Sequence, residues 1–216
     1  IAFGAMMTLF FSSSPDSSLL FLDRYSPLGI NFFISTIISI VLCGIFGGSF
    51  ELFLFRPLRK NNFGNIAVLV VTIGLSIFLR HIYLLFASAK PSSFVLELQR
   101  REDYFGVQLT PRNVQVLTLG FIVMILVGVF LSYTKTGKAM RAVRDSTDLA
   151  NVSGINSDYI ILVTWIFSSM LAGFTGIIQG VINNVRWNMG FLILLLIFAG
   201  TVLGGIGTSF GAMFGG

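Results

Sequence analysis

Charged and reactive side chains are scarce in this chain. Only 11% of its 216 residues are Asp, Glu, Lys or Arg, and it has one cysteine and one histidine. The lone Cys43 can form no internal disulfide, and one Cys with His81 cannot supply the ligands of a zinc-type site. His81 also stands beside Arg80 in an apolar run, where it is a poor general base. We therefore expect neither an enzyme nor a bound cofactor or metal ion.

Signals for nucleotide and nucleic-acid binding are also missing. The segment GIGTSF at 205–210 lacks the third glycine of a dinucleotide fingerprint and the lysine of a phosphate loop. The net charge is +5, but no basic patch lies outside short segments between apolar runs, so nucleic acid is not an expected partner. Any ATP use would have to be supplied by another subunit. The tail 203–216 is interpreted as a glycine-rich break between membrane segments.

Hydrophobic residues dominate instead. They make up 55% of the chain, and the mean hydropathy is +0.88. Charge-free runs of about 20 residues are long enough to cross a bilayer as helices. The sequence predicts one all-α, polytopic transmembrane domain over 1–216, a fragment truncated at both ends. The predicted spans are 29–50, 66–86, 114–133, 159–185 and a run from Trp187, with 1–13 as the remainder of a further helix.

The distribution of cations predicts the orientation of these spans. Basic residues cluster at 56–60 (RPLRK) and in the segment 134–158, and two predicted crossings separate the two clusters. The alternate segments 12–28 and 88–113 are nearly neutral or mixed in charge. Because cytoplasmic loops carry the excess of Lys and Arg, 134–158 is predicted to be a cytoplasmic loop and 88–113 an extracytoplasmic one.

Two ionisable residues at span ends have simple interpretations. Glu51 lies one turn before the RPLRK cluster and is predicted to pair with one of its cations. Arg80 lies about 20 Å along its helix from Ile66 at 1.5 Å per residue, where a long side chain can reach the interface.

Small residues recur at helical spacing within the spans. Ser168, Ala172, Gly176 and Gly180 lie four apart, and the pairs Gly44/Gly48 and Gly200/Gly204 repeat the pattern. Small residues let helix backbones approach closely in lipid, so helix packing is the favoured interpretation. The alternative is that one such face lines a substrate path. The candidate path residues are Thr72, Ser76, Ser168, Thr175 and Gln179.

The segment TKTGKAMRAVRDSTDLANVSGI at 134–155 is the most informative part of the chain. It carries four cations within ten residues, which bilayer hydrocarbon would reject. A helix over 137–150 would be amphipathic and would place Met140, Val143 and Leu149 against a groove of a partner. The alternative is a basic interfacial segment that only fixes the topology.

Five sequence blocks resemble the permease subunit of the branched-chain amino-acid ABC importers. The resemblance runs from about Glu51 to the end and rests on RPLRKNN, VVTIGLSIFLR, TGKAMRAVRDSTDLANVSGI, LAGFTGIIQG and MGFLILLLIFAGTVLGGIGTSFGAMFGG. The opening IAFGAMMTLFF resembles the end of an early segment of the same family.

The resemblance implies an importer that moves small hydrophobic amino acids across a bacterial-type plasma (inner) membrane. It implies a second permease subunit, cytosolic ATPase subunits and an extracytoplasmic substrate-binding protein as partners, besides membrane lipid. The implied ATPase-coupling residues are Thr136, Gly137, Lys138, Ala139, Met140, Arg141, Ala142, Arg144, Ala150, Gly154 and Ile155. Urea or short amides remain alternative substrates, and a stand-alone secondary transporter or channel, or a scaffold without transport, remains an alternative function.

Overall fold

The structure is a computed structural model. It describes residues 1–12, 30–61, 64–86, 94, 102–104, 107–186 and 188–205, together with Gly211 and Gly215. Most of the predicted outer segments 12–28 and 88–113, and most of the glycine-rich tail after residue 205, lie outside this set.

Helices account for nearly all of the described elements. The order is α1 (Ala2–Ser12), α2 (Ile30–Phe50), a π-helix (Glu51–Phe55), α3 (Arg56–Lys60), α4 (Asn65–Phe86), strands β1 (Glu102–Tyr104) and β2 (Val107–Leu109), α5 (Pro111–Tyr133), α6 (Lys135–Asp145), α7 (Thr147–Val152), α8 (Ser157–Ile182) and α9 (Met189–Leu203).

Four apolar helical stretches are long enough to cross a membrane. They are Phe32–Lys60, Ile66–Leu84, Pro111–Tyr133 and Ser157–Ile182, which confirms the predicted polytopic helix bundle. The predicted run from Trp187 forms a shorter apolar helix, α9, of 15 residues. It ends before the pair Gly204–Gly205, and Gly205 has a φ of +94°, a left-handed conformation that terminates a helix.

One short β-hairpin departs from the predicted all-α fold. β1 and β2 pair antiparallel, with Glu102 opposite Leu109 and Tyr104 opposite Val107. Strands of three residues are too short for the alternation of apolar and polar residues that predicts a strand, so the residue pattern did not predict the hairpin.

The described chain forms two compact units, the first of which comprises residues 1–94 and 161–189. In this unit α1, α2 and α8 approach one another at glycines. A Cβ atom placed on Gly4 would lie 2.6 Å from the carbonyl oxygen of Gly173, and one on Gly44 would lie 2.7 Å from Cγ of Met170. A Cβ atom on Gly48 would lie 2.9 Å from Cγ1 of Ile166, so both members of the Gly44/Gly48 pair lie at close helix contacts, as predicted.

The packed face of α8 differs from the predicted four-residue series. Gly173, Gly176 and Gly180 are buried, whereas Ser168 is exposed. A strict spacing of four drifts away from one face of a helix that has 3.6 residues per turn. The face that packs therefore follows the series 169, 173, 176 and 180.

The first span ends in a π-helix that carries a buried carboxylate. Glu51 is only 1% exposed, and its Oε1 accepts a hydrogen bond from Arg59 at 2.6 Å. The predicted pairing of Glu51 with the RPLRK cluster is thus confirmed. Four residues further on, the ring of Phe55 stacks on Trp165 with 4.6 Å between ring centroids, which joins this part of the first unit to α8.

The second unit comprises residues 95–160 and 190–216. It contains the hairpin, α5, α6, α7, the first turn of α8, and α9. A Cβ atom on Gly215 would lie 2.6 Å from Cα of Gly204. The predicted Gly200/Gly204 pair therefore lies where Gly215 comes close to the end of α9.

Candidate functional site: the connection between α5 and α8

Thr134 forms the corner at which α5 ends and α6 begins. Its backbone is extended, with φ −79° and ψ 152°. The Oγ1 hydroxyl donates to the carbonyl of Phe130 at 2.6 Å and accepts from the N–H of Gly137 at 3.0 Å. One side chain thus serves the last turn of one helix and the first turn of the next, and an N-cap of this type stabilises a helix by about 1 kcal/mol.

Gly137 allows α6 to fold closely against the end of α5. A Cβ atom at this position would lie 2.5 Å from the carbonyl oxygen of Phe130 and 2.6 Å from Cα of Leu131. Both neighbours are backbone atoms, which cannot rotate away as a side chain can. The close α5–α6 corner is therefore sufficient to require glycine at this position.

The rest of α6 is amphipathic, as predicted. Val143 is buried at 8% exposure, and the Arg141 guanidinium donates to the carbonyl of Ser132 at 3.3 Å, so Arg141 holds α6 to α5. Lys138 and Arg144 are exposed, and Arg144 is paired with its neighbour Asp145 at 2.7 Å. The exposed face of α6 is therefore polar and mainly basic.

The predicted single helix over 137–150 is wrong, because the chain breaks at Ser146. Ser146 is extended, with φ −158° and ψ 114°, and ends α6. Its Oγ accepts from the N–H of Leu149 at 3.3 Å, which caps α7. Serine readily takes this role because its hydroxyl competes with the helix for backbone groups.

An apolar pair on α7 projects from the second unit. Leu149 is 70% exposed and Val152 is 88% exposed, and a spacing of three residues places them on one face. Val152 was not among the predicted coupling residues, and Leu149 appeared only as part of the amphipathic pattern. Val152 was missed because the prediction assumed one continuous helix. The break at Ser146 changes which residues of the following helix share a face. Two apolar residues before the turn signal Ser-Gly were the only available cue.

A glycine-dependent turn ends α7. Gly154 has a φ of +83°, the N–H of Ile155 donates to the carbonyl of Ala150 at 2.9 Å, and the N–H of Gly154 donates to the carbonyl of Asn151 at 3.0 Å. This pair of bonds is a Schellman motif. A Cβ atom at Gly154 would meet nothing within 4 Å, so the backbone conformation, and not space, selects glycine.

The predicted coupling residues divide into three groups by exposure. Lys138, Arg144 and Gly154 are exposed, while Gly137 and Ala150 are buried. Burial means that the last two shape the connection and do not present a surface. The remaining six are half-buried: Thr136, Ala139, Met140, Arg141, Ala142 and Ile155.

The predicted path residues lie as two separate polar stripes in the first unit. On α4, Thr72 donates to the carbonyl of Val68 at 2.8 Å and Ser76 to that of Ile73 at 2.7 Å. On α8, Thr175 donates to the carbonyl of Leu171 at 3.0 Å. These three hydroxyls and Ser168 are exposed, and Gln179 is half-buried. Each bonded hydroxyl keeps its acceptor lone pairs available.

Buried hydroxyls elsewhere in this unit were missed by sequence reasoning. Thr8 and Ser39 are 0% exposed and Ser35 is 4% exposed. Thr8 donates to the carbonyl of Gly4 at 3.1 Å. The series Ser35, Ser39, Cys43 and Gly47, spaced by four along α2, was the available signal. Across the described ranges, no group of three or more His, Cys, Asp or Glu side chains comes together to hold a metal ion.

Membrane-length helices joined by a folded, basic connection define a multi-pass membrane protein. The chain belongs to the family of branched-chain amino acid transport system permease components, whose model matches residues 1–216. This is a family of transport permeases and not of enzymes, and its match confirms the resemblance seen in the sequence.

Individual relatives agree with this assignment. The chain is 33% identical over 187 residues to the permease protein BraD of a high-affinity branched-chain amino acid transport system from Pseudomonas aeruginosa. It is 30% identical over 187 residues to the corresponding permease protein LivH from Escherichia coli K12. Each alignment covers 82% of this chain, and the chain spans 59% of the length of each relative.

A third relative matches a shorter part of the chain. A probable branched-chain amino acid transport permease protein LivH from Methanocaldococcus jannaschii is 34% identical over 97 residues, which is 44% of this chain and 31% of that protein. No solved structure matches the chain significantly.

Proposed function

We propose that this chain is part of the transmembrane permease subunit of an ATP-driven importer for branched-chain and other small hydrophobic amino acids. Of these substrates, the branched-chain amino acids are the ones named for the relatives BraD and LivH. In this proposal the chain lies in a bacterial-type plasma membrane beside a second permease subunit. An extracytoplasmic binding protein delivers the substrate, and cytosolic ATPase subunits supply the energy.

The exposed face of α7 carries the proposal. Leu149 and Val152 are apolar, largely exposed, and belong to a connection that is otherwise rich in polar and charged residues. Full burial of an exposed Leu or Val side chain contributes about 1.5–3 kcal/mol of favourable free energy. Lys138 and Arg144 on the preceding helix α6 are exposed cations of the same connection. Protein docking surfaces usually combine an apolar centre with polar surroundings, and the proposed occupant is an ATPase subunit.

The two polar stripes support the proposed substrate path. Thr72 and Ser76 on α4, and Ser168, Thr175 and Gln179 on α8, offer hydroxyl and amide groups from membrane-spanning helices of one unit. A zwitterionic amino acid that crosses a bilayer needs such groups to replace its hydration.

The docking step is tested by removing the apolar pair. We expect Leu149→Ser combined with Val152→Ser to weaken retention of the ATPase by the purified complex about tenfold or more, since 1.4 kcal/mol corresponds to tenfold. The matched control is Tyr133→Ser, which removes a side chain that is 79% exposed at the end of α5. Retention is measured by co-purification at a series of detergent dilutions.

The control separates docking from a general loss of apolar surface. Tyr133→Ser should keep the ATPase and its turnover in liposomes. If the double variant retains the ATPase as well as the wild type does, α7 is not the docking helix. The segment is then an interfacial anchor that only fixes the topology.

A further inference from the structure

The first residue of α8 is attached to α7 by two hydrogen bonds. Ser157 is 4% exposed. Its backbone N–H donates to Oδ1 of Asn151 at 3.2 Å, and its hydroxyl donates to the carbonyl of Thr147 at 3.3 Å. Thr147 begins α7 and Asn151 lies near its end. The membrane-spanning helix therefore begins on a residue that is bonded to both ends of α7, and we call this set of three residues the α7–α8 clamp.

The turn between the two helices has side-chain hydrogen bonds of its own. Ser153 donates its hydroxyl to the carbonyl of Leu149 at 2.8 Å, within the turn that Gly154 closes. Asn156 then caps α8, because its Oδ1 accepts from the N–H of Tyr159 at 3.1 Å. The first N–H groups of a helix have no partner within the helix itself. Here the N–H of Ser157 bonds to α7 and the N–H of Tyr159 bonds to the linking turn, so α7 and the start of α8 are held as one body.

The opposite end of α7 is attached differently. One extended residue, Ser146, separates α7 from α6. Its hydroxyl caps α7 at Leu149. In turn, α6 is held to α5 by the Gly137 corner and by the bond from Arg141 to the carbonyl of Ser132. Element-terminal residues of this kind absorb the backbone rotation when two bodies move.

We propose that Asn151 and Ser157 are positioning residues that transmit movement of the docked α7 to the span α8, with Ser146 as the hinge. This inference rests on the proposed docking of α7. A push on the Leu149/Val152 face carries α7 and the first turn of α8 together, while α6 stays with α5. The same ATPase movement thus changes the angle between two spans instead of shifting both.

Three variants test the clamp in the reconstituted complex with the full-length chain. Asn151→Leu removes the acceptor for the Ser157 N–H, and Asn151→Asp keeps an acceptor, which is favourable beside the N-terminus of α8. Ser157→Ala removes only the bond to Thr147. We expect Asn151→Leu to keep the ATPase bound and its basal turnover unchanged, but to lose about fivefold or more of the stimulation by substrate-loaded binding protein. Asn151→Asp should restore that stimulation.

The outcomes distinguish this inference from the docking proposal. If Asn151→Leu releases the ATPase, the clamp shapes the docking face and does not transmit movement. Wild-type stimulation in Asn151→Leu would equally overturn the inference, and docking would stand in both cases. If Asn151→Leu does not fold, Ser157→Ala decides, and full stimulation in that variant counts against transmission. Failure of docking itself appears only in the Leu149→Ser/Val152→Ser variant.

Distances between spin labels give a second readout that does not depend on activity. The exposed positions 138, 147 and 159 are changed to cysteine in pairs, in a Cys43→Ser background. The 147–159 distance, within the proposed body, should stay constant between the nucleotide-free and ATP-bound complex. The 138–147 distance, across Ser146, should change. A constant 138–147 distance with a changing 147–159 distance would refute the hinge.

Discussion

Individual glycines of this chain have different structural roles, and the distances from a Cβ atom placed on each glycine to its neighbours distinguish these roles. Gly137 faces backbone atoms of Phe130 and Leu131 at 2.5–2.7 Å, whereas Gly120, on the exposed side of α5, faces nothing within 4 Å. An added methyl group at position 137 must displace the end of α5. At position 120 it meets no protein atom and lowers the backbone entropy of the unfolded chain.

The first residue-scale prediction compares these two positions. Gly137→Ala should destabilise the protein by about 1–3 kcal/mol, the usual cost of an overpacked site. Gly120→Ala should be neutral or stabilising by up to about 1 kcal/mol, because Ala is the better helix former. Denaturant unfolding of the purified protein in detergent measures both. Equal midpoints for the two variants would mean that α6 does not fold against α5 as described.

Among elements, the long apolar helices were the most predictable part of the molecule. The bounds of α2, α4, α5 and α8 agree within a few residues with the predicted spans, because a bilayer requires a fixed length of apolar helix. Amphipathic patterning also correctly predicted that α6 presents a basic face. These features depend only on the order of residues along one helix.

The connection between α5 and α8 was less predictable for a physical reason. Its break at Ser146 depends on a hydroxyl bonding to the N–H of Leu149, and serine forms such bonds in some contexts and not in others. The α7–α8 clamp joins Ser157 to Thr147 and Asn151 across a turn. No periodicity encodes contacts of that kind. The buried hydroxyls of α1 and α2 were missed for the same reason, since burial is decided by neighbouring helices.

A prediction at the element scale concerns the crossing of α8 with α1 and α2. A Cβ atom on Gly173 would lie 2.6 Å from Sγ of Cys43, and the Gly173 backbone also borders Gly4. Gly173→Leu should therefore prevent close approach of the helices and strongly reduce both the yield of folded protein and uptake. Gly74→Leu on α4 is the matched control, because a Cβ there meets nothing within 4 Å.

The yield of monodisperse protein in detergent and the uptake of labelled leucine would be measured for both variants. We expect Gly74→Leu to keep most of the wild-type yield. Comparable yields for the two leucine variants would show that the crossing at Gly173 is not needed for assembly.

At the scale of the whole molecule, the number of membrane crossings between the two basic segments predicts whether they lie on the same side. Lys60 ends the stretch Phe32–Lys60, and between it and Lys138 the described residues contain two membrane-length helices, Ile66–Leu84 and Pro111–Tyr133. Two crossings return the chain to the side from which it started. The basic segment at 56–60 and the basic connection at 134–155 are therefore predicted to share one aqueous compartment, and their excess of cations predicts that this compartment is the cytoplasm.

The last prediction tests this orientation with single cysteines at positions 60, 90 and 138. Position 90 lies outside the described residues, in the segment between the two crossings. The background is Cys43→Ser, in which serine keeps a side chain of similar size at a site that is 6% exposed. In intact cells an impermeant thiol reagent should label position 90 and leave 60 and 138 unmodified. Permeabilised cells, in which all three should react, are the control. Labelling of position 138 in intact cells would show that the orientation is opposite to the predicted one. In that orientation α7 could not reach a cytosolic ATPase.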